Sequence, residues 1–175
     1  MTAFQDKQWE QILHDDTGRA YRLWIEEYEH ALDMWLSDRR TLTCGQVRCI
    51  LHRPDEIELC EIIIEVDAWV RRHWLLDLLD SLRHRSHSTI NYRERGLGKN
   101  LMHTLIDYGR QNEFKQISGF IQPHEGSTFE FLVEWYKRQG FNVDGGIITM
   151  DIGAQVPSNR VRAVEAQYRA TGASN

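Results

Sequence analysis

The loop at residues 93–99, Arg-Glu-Arg-Gly-Leu-Gly-Lys, has the composition of an anion-binding site. Its glycines, Gly96 and Gly98, let the backbone approach a ligand closely, and a helix is predicted to begin directly after them. Free amide groups and the dipole at a helix start attract negative charge. Full positive charges come from Arg93, Arg95 and Lys99. The loop is therefore predicted to bind phosphate groups, although similar strings also occur in loops that hold no ligand.

The well-known glycine-rich nucleotide loops do not fit this sequence. No Gly-Lys-Ser/Thr follows a four-residue gap, as a P-loop requires, and the G-x-G-x-x-G pattern of dinucleotide-binding folds is incomplete. An enzyme that uses ATP or NAD is therefore not expected.

A second motif follows at the end of the helix predicted over residues 128–139. Tyr136 stands near the end of that helix, and Gly140 and Phe141 come directly after it. The order of loop, helix, strand, helix and Gly-Phe resembles the GNAT superfamily of N-acetyltransferases. Two linked motifs at the family's habitual separation make this resemblance far more specific than either motif alone.

The resemblance covers residues 90–150, about a third of the chain. It implies a fold of the α/β (α+β) class, with a mixed, mainly antiparallel central sheet flanked by helices. In the family an R/Q-x-x-G-x-G/A loop grips the pyrophosphate of coenzyme A, and Arg93, Gly96 and Gly98 match its positions. The implied co-substrate is acetyl-CoA, and the residues implied to hold it are Arg93, Arg95, Gly96, Leu97, Gly98 and Lys99.

Acetyl transfer to an amine needs a group that removes the amine's proton and a donor for the departing thiolate. In many GNAT enzymes the donor is the tyrosine of the late helix, and Tyr136 matches that position. A phenol, with a pKa of about 10, stays protonated at neutral pH and can donate. The structural alternative is a core aromatic residue beside Trp135.

The base is predicted among the glutamates of the strand at residues 56–66. If the side chains alternate regularly, Glu61 shares a face with apolar neighbours and Glu65 lies at the strand end, near the substrate opening. Glu61 is the first candidate and Glu65 the second. The alternative is that these acids occupy a solvated face and have no catalytic role.

The histidines of the sequence raise the question of a metal site, but their spacing from other possible ligands does not support one. His84 and His87 lie in an Arg- and Ser-rich loop with no acidic or thiol partner at a ligand-like spacing. No metal site is predicted. His124 and Glu125 follow the strand predicted at residues 115–121 and could line the site, although a surface loop is the simpler interpretation.

The elements around the two motifs are predicted from apolar periodicity. Helices are expected over residues 99–112 and 128–139, and strands over residues 115–121 and 147–152. The tail at residues 155–175 is poor in apolar residues and is predicted to be loosely ordered.

The preceding part of the chain is harder to match to the family. Apolar residues at three- and four-residue spacing predict a helix over residues 18–37, within a helical N-terminal part at residues 1–40. A hairpin follows, with strands over residues 41–51 and 56–66 and a bulge at Gly45.

Residues 68–82 again show helical spacing, which predicts a helical insertion over residues 68–88. The alternative is that residues 88–92 form the strand that precedes the glycine loop, which would displace both glutamates from the site. The apolar face with Trp69 and Trp74 would pack on the core or form a homodimer contact.

Composition narrows the functional class only slightly. The 175 residues suit a single domain, the net charge of −5 gives no support for nucleic-acid binding, and no stretch suits a membrane span or a secretory leader. The expected location is the cytoplasm. Cys44, Cys49 and Cys60 are predicted to be small buried residues rather than disulfide partners or zinc ligands.

The sequence therefore predicts an acetyl-CoA-dependent N-acetyltransferase that acts on a primary amine of a small molecule or peptide. A non-catalytic GNAT-fold protein that binds coenzyme A or a protein partner is the alternative. Transfer of a longer acyl group is a third hypothesis, and the acceptor itself stays open.

Overall fold

The computed structural model describes residues 7–38, 43–66, 68–69, 89–124 and 127–153. Within them the chain forms an eight-stranded mixed sheet, a separate two-stranded pair and two helices. The elements in chain order are β1 (Lys7–His14), β2 (Ala20–Glu27), β3 (Ala31–Ser37), β4 (Gly45–His52), β5 (Glu56–Ile64), β6 (Ala68–Trp69), β7 (Thr89–Ile90), α1 (Leu97–Gln111), β8 (Gln116–Phe120), α2 (Phe129–Arg138), β9 (Asn142–Asp144) and β10 (Ile147–Asp151). The strand order is β1-β2-β3-β4-β5-β8-β10-β9, and all neighbours are antiparallel except β5 and β8. This is the mixed, mainly antiparallel sheet that was predicted.

The N-terminal part is a three-stranded meander, so the predicted helix over residues 18–37 is wrong. β2 and β3 form a hairpin in which Trp24 pairs with Trp35, and β1 precedes them as an edge strand. Tyr21, Leu23 and Ile25 alternate strictly on the buried face of β2. Apolar residues on the opposite face fill the gaps in this alternation, which produces a spurious helical spacing.

The hairpin of β4 and β5 confirms the predicted pair of antiparallel strands within residues 43–66, but the bulge is elsewhere. Arg48 pairs with Glu61 and Cys49 pairs with Leu59, so Cys60 is the extra residue of β5. Gly45 is a regular ladder residue opposite Ile64. Because a bulge shifts the alternation by one residue, side chains after Cys60 point to the faces opposite to those predicted.

The segment after β5 only partly follows its prediction. Ala68–Trp69 is a short strand paired with Thr89–Ile90, not the start of a helix. Residues 70–88 lie outside the described part of the chain. The tail at residues 155–175 lies outside it as well. β7 pairs with β6 and not with the main sheet. β5 is therefore the sheet strand that borders the glycine loop, and the alternative of a strand at residues 88–92 in its place is wrong.

The elements of the C-terminal half confirm their predictions closely. α1 starts two residues earlier than expected, α2 has Thr128 as its N-cap, and the short strand β9 was not anticipated. The Thr128 hydroxyl accepts a hydrogen bond from the Phe131 amide at 3.2 Å. After α2 the chain turns at Gly140, whose φ of 95° favours glycine.

Both described helices pack on the same face of the sheet. Gly109 of α1 lies against Ile57 and Ile152, and Gly140, just after α2, lies against Met150. This helix face carries the buried core. We call the opposite side the second face; it bears Trp24, Trp35, Gln46, Glu61 and Phe120, and no helix among the described residues packs on it.

Two of the three cysteines fit the prediction of small core residues. Cys44 and Cys49 are buried, whereas Cys60, which the bulge turns out of the ladder, is exposed. All three are free thiols. Neither helix of the described ranges is long and apolar enough to cross a membrane.

Candidate active site

The sheet opens where its two parallel strands separate. β5 and β8 pair from Glu56 with Gln116 to Leu59 with Gly119, and no pairing continues beyond the bulge at Cys60. Past this point β5 borders a cavity of about 570 Å³ that also reaches the start of α1 and the inner side of α2. A cleft between diverging strands leaves backbone groups on the β8 side of β5 without a ladder partner.

Gly119 closes the narrow end of the cleft. A Cβ at this position would lie 2.5 Å from the Leu59 carbonyl oxygen, so the two backbones approach more closely than any side chain would allow. The close approach at Leu59 and Gly119 fixes the point from which the strands diverge.

The glycine loop forms the wall of the cavity at the start of α1. Gly96 is the N-cap with a φ of 75°, and no side chain caps the helix. Asn100 is the first residue whose amide bonds within the helix, to the Gly96 carbonyl at 3.0 Å. The amides of Leu97, Gly98 and Lys99 have no backbone acceptor within the described residues. Three free amides and no acidic residue in the first helical turn suit a phosphate group.

The charged residues of the loop divide between its two sides. Arg93 and Lys99 line the cavity with Leu97 and Gly98. Glu94, which the sequence argument did not weigh, also lines it and reduces the positive charge. Arg95 does not line the cavity, because its guanidinium lies over the Tyr92 ring, 5.4 Å from the ring centroid.

The turn between β1 and β2 supports the loop from behind. The Asp16 amide donates to the Arg95 carbonyl at 3.2 Å, and the Asn100 side chain donates to the His14 carbonyl at 2.7 Å. The Tyr92 hydroxyl donates to Asp38 at 2.7 Å, and Arg19 pairs with the same carboxylate. These contacts hold the glycine loop against the N-terminal meander.

Asp15 organises this supporting turn. Its carboxylate accepts hydrogen bonds from the Thr17 amide and hydroxyl, the Arg19 amide and the Tyr21 hydroxyl, at 2.6 to 2.9 Å. Burial alone would raise the pKa of Asp15, but these bonds outweigh burial and lower the pKa to about 2. The turn thus keeps a carboxylate that is ionised at any ordinary pH.

Tyr136 lies in the inner wall of the cavity, on the helix face. It is 5% exposed, and its ring makes edge contacts with Trp135 at 4.9 Å and Phe141 at 5.6 Å between centroids. Its hydroxyl makes no hydrogen bond within the described part of the chain. Burial, with the nearby Cys49 thiol, raises the pKa of Tyr136 to about 12. The ring of Tyr136 thus packs in the core and also lines the cavity. Its hydroxyl is protonated at neutral pH.

The two candidate bases occupy different places. Glu61 lines the cavity from the second face, where the Gln46 amide donates to its Oε2 at 3.0 Å. Glu65 lies outside the lining; its backbone bonds to Cys44 and Tyr92 join β5 to β4 and to the glycine loop. The sequence expectation that Glu61 shares a face with Ile57 and Leu59 is wrong, because the bulge at Cys60 intervenes.

Several cavity residues were not identified from the sequence. They come from the end of β8 and the start of α2, and they are Phe120, Gln122, Ser127, Thr128, Phe131 and Leu132. The strand-to-helix connection after β8 was the available signal, since it faces the glycine loop once β5 and β8 are parallel neighbours. His124 also lines the cavity, as one of its two sequence interpretations allowed, while Glu125 lies outside the described residues.

The remaining histidines give no metal site in the described part of the chain, which holds no group of three or more His, Cys, Asp or Glu side chains fit for a metal ion. His84 and His87 lie outside the described ranges. His103 lies beside a second cavity of about 230 Å³ between the two helices, lined also by Arg110 and Gln139.

No protein-family model and no curated protein sequence matches the chain. Solved structures do match. One is the GNAT domain of S. lividans PAT, with 9% identity over 82% of this chain and 97% of that one and a TM-score of 0.54. Another is a cAMP-binding acyltransferase from Mycobacterium smegmatis, with 11% identity and a TM-score of 0.57; the match covers 90% of this chain and 52% of that one. The chain thus has the GNAT fold and spans about half the length of the second relative.

Proposed function

We propose that the protein is an N-acetyltransferase that moves the acetyl group of acetyl-CoA to a primary amine. The observation that carries the proposal is the uncapped start of α1, whose free amides open into the same cavity as Tyr136 and Glu61. A phosphate site and two groups fit for proton transfer thus share one cleft. The likeness to acyltransferase structures supports the fold on which this proposal depends.

Acetyl-CoA would lie with its pyrophosphate at the glycine loop. The amides of Leu97, Gly98 and Lys99 would bind the phosphate oxygens, with the side chains of Arg93 and Lys99 nearby. The lining is mostly apolar beyond the loop, through Ile62, Ile64 and Trp135, and suits an uncharged thioester arm. The sequence predicts that Arg95 binds phosphate. Because its guanidinium lies over the Tyr92 ring, we propose instead that Arg95 supports the glycine loop.

The separated edge of β5 supplies donors for the reacting carbonyl. The Glu65 amide bonds to Cys44, just before β4, so by alternation the backbone groups of Ile64 and Ile62 point to the cleft side. An amide directed at the carbonyl oxygen would stabilise the negative charge that develops there.

Proton transfers at the amine and at the thiolate complete the reaction. Glu61 first passes one proton of the ammonium form to water, and the neutral nitrogen then bonds to the carbonyl carbon while a second proton passes to Glu61, directly or through water. The carbon–sulfur bond then breaks, Tyr136 gives the departing thiolate its proton or a hydrogen bond, and a phenolate formed in this way regains its proton from solvent. Because Tyr136 and Glu61 line the cleft from opposite faces of the sheet, the donor and the base would act from opposite sides of the reacting carbon.

Tyr136→Phe tests the proposal directly. We expect the variant to retain acetyl-CoA affinity and to lose about 100-fold in kcat, since it keeps the ring packing but lacks the proton. Acetyl-CoA consumption with a panel of primary amines measures turnover. Tyr28→Phe, on an exposed tyrosine outside the cavity lining, is the matched control.

Full turnover in Tyr136→Phe would remove the residue from the mechanism. Acetyl-CoA binding without transfer to any amine would favour the non-catalytic alternative. The cytoplasmic location and the homodimer contact stay predictions, as do the absence of nucleic-acid and membrane partners.

A further inference from the structure

The cleft has two sides because it passes through the sheet where β5 and β8 separate. Tyr136, Trp135 and the glycine loop line it from the helix face. Glu61, Ile63 and Phe120 line it from the second face. If the cofactor enters along the helix face from the loop, the second face is the approach that the described residues leave open for the acceptor.

An apolar strip borders this second opening. Phe120 is the last residue of β8 and is 59% exposed, although it is a large aromatic side chain. Its cross-strand partner is Ile147 of β10, which is 45% exposed. Ile63 of β5 faces them across the gap on the same side of the sheet. We call Ile63, Phe120 and Ile147 the acceptor strip.

The Glu61 carboxylate lies beside the acceptor strip. Its Oε2 accepts a hydrogen bond from the Gln46 side chain, and its Oε1 has no hydrogen-bond partner among the described residues and can accept one from a ligand. Two acids on this face already have partners: Glu58 contacts His52 at 2.9 Å, and Glu56 accepts a hydrogen bond from Ser118. Arg48, the cross-strand partner of Glu61, pairs with Asp33 at 3.6 Å, and Asp144 is the cross-strand partner of Ile147 at the far end of the strip. Glu61 is therefore the acid on this face that lines the cleft.

We infer, on the basis of the proposed function, that the acceptor is a monoamine whose primary amino group is attached to an apolar or aromatic body. Its ammonium group meets Glu61 before the proton is removed, and its apolar body lies on the acceptor strip. The apolar strip continues the lining of the cofactor cavity, so the amine nitrogen and the thioester would meet at the separation point of the strands. A polyamine would bury a charged group against the apolar side chains of Phe120 and Ile147.

The test compares amines on protein saturated with coenzyme A, so that binding is measured without reaction. We expect 2-phenylethylamine to bind at least about tenfold more tightly than ethylamine or 1,4-diaminobutane, since burying a phenyl ring contributes that much or more. Phe120→Ala should reduce the preference for 2-phenylethylamine over ethylamine to about threefold or less, and Ile147→Ala should reduce it partly. Ile12→Ala is the matched control, because Ile12 is 54% exposed but lies on β1, the edge strand at the other end of the sheet.

Each other outcome overturns the inference in a distinguishable way. Tighter binding of the diamine, or an unchanged preference in Phe120→Ala, would show that the strip does not select the acceptor. If Phe120→Ala instead alters the preference among acyl-CoA chain lengths, the strip holds the acyl group. Binding of coenzyme A without binding of any amine would reject the acceptor site and leave the cofactor site standing. Failure of coenzyme A itself to bind would reject the proposed function as well.

Discussion

Cys60 is the extra residue of β5, and it determines which side of the sheet Glu61 occupies. Leu59, before the bulge, faces the helices, and Glu61, after it, faces the second side of the sheet beside Phe120. Without the bulge Glu61 would point toward α1 and the core. The same irregularity ends the pairing of β5 with β8, so one inserted residue both opens the cleft and supplies its carboxylate.

Glu61 and Glu65 form a matched pair for testing the base. We expect Glu61→Gln to lower kcat by about 100-fold, because the amide cannot accept the amine's proton. Glu65→Gln should change kcat by less than about threefold, since Glu65 lies outside the cavity lining. Steady-state rates of both variants with one amine decide between them, and a larger loss in Glu65→Gln would reverse the assignment.

Some residues that line the cavity could be found from the sequence. Arg93, Gly96 and Gly98 could be singled out because a glycine loop before a helix is a short contiguous stretch whose chemistry is local. Tyr136 could be found because Gly140 ends its helix. The orientation of Glu61 could not, because a bulge depends on how β4 and β5 pair and leaves no distinct mark at Cys60.

At the scale of elements, both helices of the described chain were predicted and two strands were mistaken for one helix. α1 and α2 each have one apolar stripe, so the helical period is unambiguous. β2 and β3 carry apolar residues on both faces, with Trp24 and Trp35 opposite the core residues. The strict alternation of Leu32, Met34 and Leu36 was the signal for a strand.

The pairing of β5 with β8 is also an element-scale property, and Gly119 tests it. Gly119→Ala would place a Cβ 2.5 Å from the Leu59 carbonyl oxygen, a backbone atom that cannot move without shifting β5. We expect the free energy of unfolding to fall by about 1–3 kcal/mol. Urea unfolding measures this change.

Gly153→Ala is the control for Gly119→Ala. Its nearest contact would be 3.4 Å from the Lys115 backbone, an ordinary packing distance. Equal stabilities of the two variants would show that β5 and β8 do not require the close approach at Gly119.

At the scale of the molecule, the described chain is a sheet with both of its helices on one face and a cleft that reaches the other. The half that holds the cleft could be recognised from two motifs in residues 90–150. The N-terminal meander could not, since its strands are defined by pairing between distant residues and not by any local motif. The meander nevertheless contributes to the site, because the turn around Asp15 and Asp16 supports the glycine loop.

We propose that the start of α1 binds the pyrophosphate of acetyl-CoA, and calorimetric titration of acetyl-CoA into the protein measures this binding. Gly98→Glu and Gly98→Gln are compared with the unaltered protein. A Cβ on Gly98 would make ordinary contacts, 3.5 Å from Trp135 and 3.6 Å from Ile64, so both variants should fold. We expect the unaltered protein to bind acetyl-CoA with roughly micromolar affinity. Gly98→Glu should lower this affinity at least about tenfold. Gly98→Gln should lower it clearly less, because only the glutamate places a negative charge at the start of α1. No binding by the unaltered protein, or equal binding by the Glu and Gln variants, would contradict the account.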